Sequence, residues 1–155
     1  MDRGGEIGAL AGRVAVITGA NHGIGAATAE RLAADGAAVL VTFLRSRVVD
    51  DPGTPVRYNE RRMTDGHDVA ERICAAGGRA IAVEADLRSA DVAAALFDRA
   101  EAELGPVDIL VNNATGWSAG DSFAAAALDP AGRTTAPVTA ALIDSTFGVD
   151  AQAAA

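Results

Sequence analysis

Between Val14 and Leu32 an apolar run, a glycine-rich turn and a helical pattern follow one another directly, and this succession restricts the fold more than any other stretch of the chain. Val14, Ala15, Val16 and Ile17 are apolar without alternation, as in a strand covered on both faces of a parallel sheet. The segment Thr18, Gly19, Ala20, Asn21, His22, Gly23, Ile24, Gly25 follows at once. Ile24, Ala27, Thr28 and Leu32 then recur at helical spacing, and Gly36 stands where a left-handed C-terminal cap belongs.

The same alternation recurs downstream. Ala38 to Phe43 is apolar and β-branched, and Val69 and Ile73 mark a helix that stops at Gly77 and Gly78. Arg79 to Glu84 gives a third strand. Ser89 is placed to cap a helix whose apolar stripe is Val92, Leu96, Ala100 and Leu104, with Gly105 and Pro106 ending it. Val107 to Asn112 is then a fourth strand. Strands alternating with helices of this length imply crossover connections and an α/β fold: a Rossmann-like, doubly wound parallel sheet in three α/β/α layers.

The whole of 1–155 reads as one incomplete nucleotide-binding domain. A polar insert at about 45–66, with Pro52, Gly53, Pro55 and the charged group Arg57, Glu60, Arg61 and Arg62, reads as a long loop. A second irregular stretch runs from Thr115 to about Thr134, before a helix predicted to begin near Pro137 and to continue to the last residue.

A glycine-rich turn between a first strand and a first helix is where a dinucleotide's pyrophosphate is held. Glycines permit the tight turn and let a phosphate approach the backbone, and the helix N-terminus supplies unpaired N–H groups. The spacing here is Gly-x-x-x-Gly-x-Gly, not the general Gly-x-Gly-x-x-Gly fingerprint. In this the chain resembles the short-chain dehydrogenases/reductases, including members of the 3-oxoacyl-acyl-carrier-protein reductase type, whose phosphate loop is Thr-Gly-x-x-x-Gly-x-Gly. Asp108 to Ala114, with Asn112, Asn113 and Ala114 at its end, is similar to that family's fourth strand and its Asn-Asn-Ala-Gly motif. Thr115 stands where the family has glycine, and Asp86 with Leu87 stands where it places an adenine contact. The resemblance therefore implies cofactor contacts from Gly19, Asn21, His22, Gly23, Ile24, Gly25, Asp86, Leu87, Asn113 and Ala114.

Charge selects between the two nicotinamide cofactors. NAD sites carry an acid about 20 residues past the glycine turn for the ribose 2′-OH, and NADP sites an Arg for the 2′-phosphate. The second strand here ends Thr42, Phe43, Leu44, Arg45, with no acid until Asp50. Arg45, helped by Arg47 or His22, thus predicts NADP(H) over NAD(H), since a guanidinium pairs two phosphate oxygens at once.

Composition excludes other classes. All 13 basic residues are arginine, and against 21 acids they leave a net charge of -8, which argues against nucleic acid or an anionic membrane as partner. The lone Cys74 and the absence of an apolar N-terminal run predict a cytoplasmic setting. Two histidines and one cysteine make no zinc spacing, and a lysine-dependent phosphate loop needs a lysine that the chain lacks. Gly116 to Gly120 spells the Gly-x-Ser-x-Gly of serine hydrolases, a remote alternative, because both His22 and His67 precede Ser118 rather than follow it.

In the resembled family, reduction of a carbonyl or oxidation of an alcohol depends on a Ser and a Tyr-x-x-x-Lys beyond the fourth strand. There the Lys lowers the Tyr pKa so that it can exchange a proton with the substrate oxygen. This chain has no lysine, and its one tyrosine, Tyr58, lies in the insert. The family's Asn in the next helix aligns with Asp150, beside Val149. Only four of the family's seven strands are readable, so the fold is expected to be truncated after the fourth strand and following helix, with an exposed edge. Three readings follow: a part of a reductase, inactive alone and homo-oligomeric in its complete form; a nucleotide-binding module or sensor without chemistry; or a subunit whose sheet another polypeptide completes. The motif set favours the first.

Overall fold

The computed structural model describes residues 8–45, 56–116 and 121–151, except 124, 126, 131 and 133. Four parallel strands form the main sheet: β1 (Val14–Ile17), β2 (Ala38–Phe43), β3 (Arg79–Glu84) and β4 (Ile109–Val111), in the order β3-β2-β1-β4. The register pairs Val14 with Ala38, Ala38 with Arg79 and Ala15 with Ile109. The reversal of strand order beside β1 opens a crevice at the carboxyl ends of β1 and β4, where open α/β sheets bind ligands.

The helices follow from the burial that the strands require. Every residue of β1 and β2 is buried, which demands cover on both faces. Helices α1 (Gly23–Ala34) and α3 (His67–Ala75) cover one face, packing Ala29, Ala33, Val69 and Ile73 on Ile17, Val39 and Val41. Helix α4 (Val92–Glu103) covers the other, with Leu96 and Ala100 on Val16 and Leu40. Each large side chain so enclosed contributes about 1.5–3 kcal/mol. The α1 facing residues are alanines, so helix and strand approach closely.

Several sequence expectations are corrected. The insert is not all loop: helix α2 (Val56–Arg62) lies within it. It has no apolar stripe to betray it, because a tether at its end holds it instead of burial. Met63 and Thr64 N–H groups donate to the Glu60 and Arg61 carbonyls, and Asn21 Nδ2 donates to the Thr64 carbonyl at 2.9 Å. Ser89 does not cap α4; its N–H donates to the Asp86 carbonyl in a turn, and Asp91 takes the cap position. The fourth strand is shorter than expected, beginning at Ile109 and ending at Val111; Asp108 just before it donates its N–H to the Val14 carbonyl and accepts with its carboxylate from Arg13 and the Val14 N–H.

The stretch after Thr115 contains three short strands, β5 (Asp121–Ser122), β6 (Ala127–Leu128) and β7 (Thr134–Pro137), ordered β5-β7-β6. They escape a reading by alternation because side-chain bonding registers them: Thr135 Oγ1 both accepts from the Ala127 N–H and donates to its carbonyl, at 3.1 Å each. Pro137 belongs to β7, and the last helix, α5 (Ala140–Asp150), starts later, capped by Thr139 Oγ1 accepting from the Leu142 N–H at 3.2 Å. The helix ends at Asp150 with Ala151 as its C-cap, short of the expected continuation to Ala155, and residues 152–155 lie outside the described residues. So do Arg47, Trp117 and Ser118, and with them the hydrolase-like motif. No helix among the described residues is long and apolar enough to cross a membrane.

Candidate functional site

A cleft of about 520 Å³ lies across the carboxyl end of the main sheet. Gly19, Asn21, His22, Gly23, Ile24, Asp86, Leu87, Asn113 and Ala114 all line it, so the sequence-derived set converges on one place. Gly25 and Arg45 do not line it.

The glycine turn is held by a knot of hydrogen bonds. Thr18, 5% exposed, uses its Oγ1 to accept from the N–H groups of both Asn113 and Ala114 at 3.0 Å. Asn113 Nδ2 in turn donates to the Thr18 and Gly19 carbonyls at 2.9 and 3.0 Å. Strand β4 therefore orients the turn after β1 through side chains, beyond the strand pairing itself. The two outer glycines have different duties. Gly23, at φ +58°, has open space where a Cβ would point, on the cleft side. A Cβ on Gly25 would lie 2.6 Å from both Asn113 Nδ2 and the Gly19 carbonyl, so Gly25 serves the packing behind the turn.

The first intrahelical bond of α1 is Ala26 N–H to the His22 carbonyl, which leaves the N–H groups of Gly23, Ile24 and Gly25 without an acceptor inside the helix. This end of α1 carries no acidic residue in its first turn. The arrangement suits an anion such as a pyrophosphate.

Charged groups of α2 act on the cleft. His22 is held below its ordinary pKa, first by burial and then by the charges of Arg62 and Arg61. Arg62, from α2, lines the cleft, and nothing in the sequence pattern had separated it from its charged neighbours. Arg45 is engaged elsewhere: its Nε and Nη2 hold the Glu84 carboxylate at the end of β3, with Nε to Oε2 at 3.1 Å, and Asp65 lies 3.8 Å from its Nη1. The hydrogen bonds from Arg45 keep the Glu84 carboxyl below the usual range. An acid is thus present at this corner in space, though none follows β2 in sequence before Asp50. Asp86 is likewise lowered by its bonds from Arg88, which also lines the cleft.

At the opposite end, Asp150 takes an acceptor's role. Its Oδ1 accepts from the Gly116 N–H at 2.7 Å and its Oδ2 from Thr115 Oγ1 at 3.1 Å, fixing the segment that leaves β4. Thr115 is accommodated without strain, since no non-glycine residue among those described has positive φ. No group of three or more metal-ligating side chains occurs among the described residues.

Residues 13–51 and 46–135 match the family described as short chain dehydrogenase. An uncharacterised oxidoreductase of Methylorubrum extorquens is 45% identical over 104 residues, 67% of this chain and 36% of that protein. An NADPH-dependent aldehyde reductase-like chloroplastic protein of Arabidopsis thaliana is 34% identical over 146 residues, 94% of this chain and 47% of that one. Among solved structures, a short chain dehydrogenase from Burkholderia cenocepacia in complex with NADP superposes with a TM-score of 0.64 at 37% identity, covering 93% of this chain and 47% of that one. The chain thus spans about a third to a half of the length of these relatives.

Proposed function

The chain belongs to the short-chain dehydrogenase family, and from that premise we propose that it binds NADP(H) across the carboxyl end of its sheet as the cofactor-holding part of a carbonyl or alcohol oxidoreductase. The observation that carries the reading is the cradle at the turn: a glycine open to the cleft at Gly23, three helix N–H groups without internal acceptors, and the Thr18 and Asn113 bonds that fix both. A side chain at Gly23 would fill the space against which a pyrophosphate rests.

In this reading Gly19, Asn21, His22, Gly23, Ile24 and Gly25 form the pyrophosphate turn. Asp86 and Leu87 flank the adenine, and Asn113 and Ala114 flank the nicotinamide ribose. Arg45 adds positive charge at the 2′-phosphate end. When bound, the nicotinamide supplies a hydride to, or takes one from, a small-molecule carbonyl or alcohol. The chain's own residues bind and orient the cofactor, and none of them is assigned the proton transfer: there is no lysine to tune a tyrosine, and Tyr58 lies on α2. Purified protein alone is accordingly expected not to oxidise NADPH with ketones.

Calorimetric titration with NADPH and NADH tests the assignment. NADPH is expected to bind at least about tenfold more tightly, the value of one charge-assisted contact, and Gly25→Val to abolish binding of both by displacing Asn113. Tighter binding of NADH, or no saturation by either at millimolar concentration, would overturn it.

A further inference from the structure

The insert after β2 is joined to the glycine turn through Thr64, a residue outside every motif of the sequence. Resting on the cofactor reading above, we propose that Thr64 is a positioning residue for the pyrophosphate turn, acting through Asn21 to aim the helix N–H groups that the cofactor meets.

The turn is held from three sides. Strand β4 holds its start: the Asn113 and Ala114 N–H groups donate to Thr18 Oγ1, and Asn113 Nδ2 donates to the Thr18 and Gly19 carbonyls. Strand β2 holds its middle, where the Ala20 N–H donates to the Thr42 carbonyl at 2.8 Å. The insert holds Asn21, two residues before Gly23 and next to the cap of α1. Asn21 is 7% exposed, and its Nδ2 donates to the Thr64 carbonyl at 2.9 Å. Thr64 Oγ1 lies 2.7 Å from the Arg61 carbonyl and 3.3 Å from the Asn21 carbonyl, so its single O–H proton is shared between the end of α2 and the turn.

A residue can position another only if it is itself held. The Thr64 N–H donates to the Arg61 carbonyl at 3.2 Å, which ties its backbone to the last turn of α2. Two residues on, the buried Gly66 lies so close to the ring of Phe43 that a Cβ there would stand 2.3 Å from the ring's Cδ1. Phe43 is itself a fully enclosed residue of β2, and His67 meets the same ring edge-on with 5.6 Å between centroids. Thr64 is thus pinned between the end of α2 and a packed side chain of the main sheet. It passes that rigidity to Asn21, and from there to the N–H groups of Gly23, Ile24 and Gly25. Groups fixed in this way before a ligand arrives lose less freedom when it binds, which appears as affinity.

NADPH is titrated calorimetrically into the 155-residue protein and into Thr64→Val, Thr64→Ser, Asn21→Ala and the pair Asn21→Ala/Thr64→Val. Thermal melts establish that each variant is folded, and amide hydrogen exchange follows the turn. Thr64→Val keeps the shape and loses the hydroxyl; it should weaken NADPH about threefold to tenfold and speed exchange at Gly23 and Ile24 relative to β1. Thr64→Ser keeps the hydroxyl and should bind within about twofold of the parent. Once Asn21→Ala has opened the clasp, adding Thr64→Val should cost little more. Unchanged affinity in Thr64→Val, a Ser variant as impaired as Val, or full additivity in the pair would overturn the assignment. A lower Tm with unchanged exchange at the turn would overturn it too, because a merely structural role predicts that pattern. If Thr64→Val does not fold, Asn21→Ala opens the same clasp from the other side, and unchanged exchange at Gly23 and Ile24 there has the same force. Failure of the parent to bind NADPH would instead remove the cofactor reading, and this one with it.

Discussion

Replacing Thr18 by Val should unfasten the glycine turn without altering the shape of the side chain. Val matches Thr in volume but removes the Oγ1 that accepts from the Asn113 and Ala114 N–H groups at 3.0 Å each. A buried donor left unpaired costs about 1–3 kcal/mol. Asn113 and Ala114 are half-buried, so water reaches part of the gap and the lower half of that range applies. The sum for two donors is then about 2–4 kcal/mol, or roughly 6–12 °C in Tm for a chain of this size. Urea denaturation read by circular dichroism measures it, with the slope unchanged if only stability has moved. Thr18→Ser keeps the acceptor and loses one methyl, so its cost should stay near about 1 kcal/mol. Nucleotide binding should fall in Val and persist in Ser, because the turn's amides are aimed by this knot. A Val variant within about 0.5 kcal/mol of the parent, or a Ser variant as damaged as Val, would refute the reasoning.

Asp150→Ala should speed hydrogen exchange at the Gly116 amide by releasing its bond to Oδ1, at a cost of about 1 kcal/mol given the exposed setting. Asp150→Asn, which keeps one acceptor oxygen, should exchange at nearly the parent's rate, and equal acceleration in both would contradict this role. Acid should destabilise the fold in two stages. His22 has a folded pKa below its ordinary 6.5, so its contribution is complete above that value and is lost as pH falls through the lowered one. Glu84, Asp86 and Asp108 are also lowered, from ordinary values of 4.5, 3.8 and 3.8, by bonds from Arg45, Arg88 and Arg13. Their contributions are present above those values and vanish below them. The urea midpoint should therefore decline gently below about pH 6.5 and steeply below about pH 4; a midpoint that climbs on acidification through either range would refute the sign.

The sequence alone determined whatever rests on local periodicity and backbone restriction. The fully apolar runs of β1 and β2 demanded a sheet covered on both faces. Gly36 and Gly77, at φ +100° and +88°, mark helix ends that only glycine accepts readily, and strands β2 and β3 begin and end where the pattern placed them. The glycine turn and the Asn113 segment were legible as a pair because each carries residue types rarely explained otherwise.

Tertiary structure decided what depends on groups distant along the chain. The sequence of α2 carries no apolar stripe, so no periodicity announced it; the Asn21 and Thr64 bonds tie its end to the glycine turn. The absence of an acid between β2 and Asp50 was true along the chain and untrue in space, because β3 runs parallel beside β2 and delivers Glu84 to Arg45. Asp150 looked like the loss of a donor until α5 brought it to the Gly116 N–H as an acceptor. A side chain's chemistry can be read from its type, but its partner is set by which strand end or helix end the fold brings within about 3 Å, the reach of a hydrogen bond.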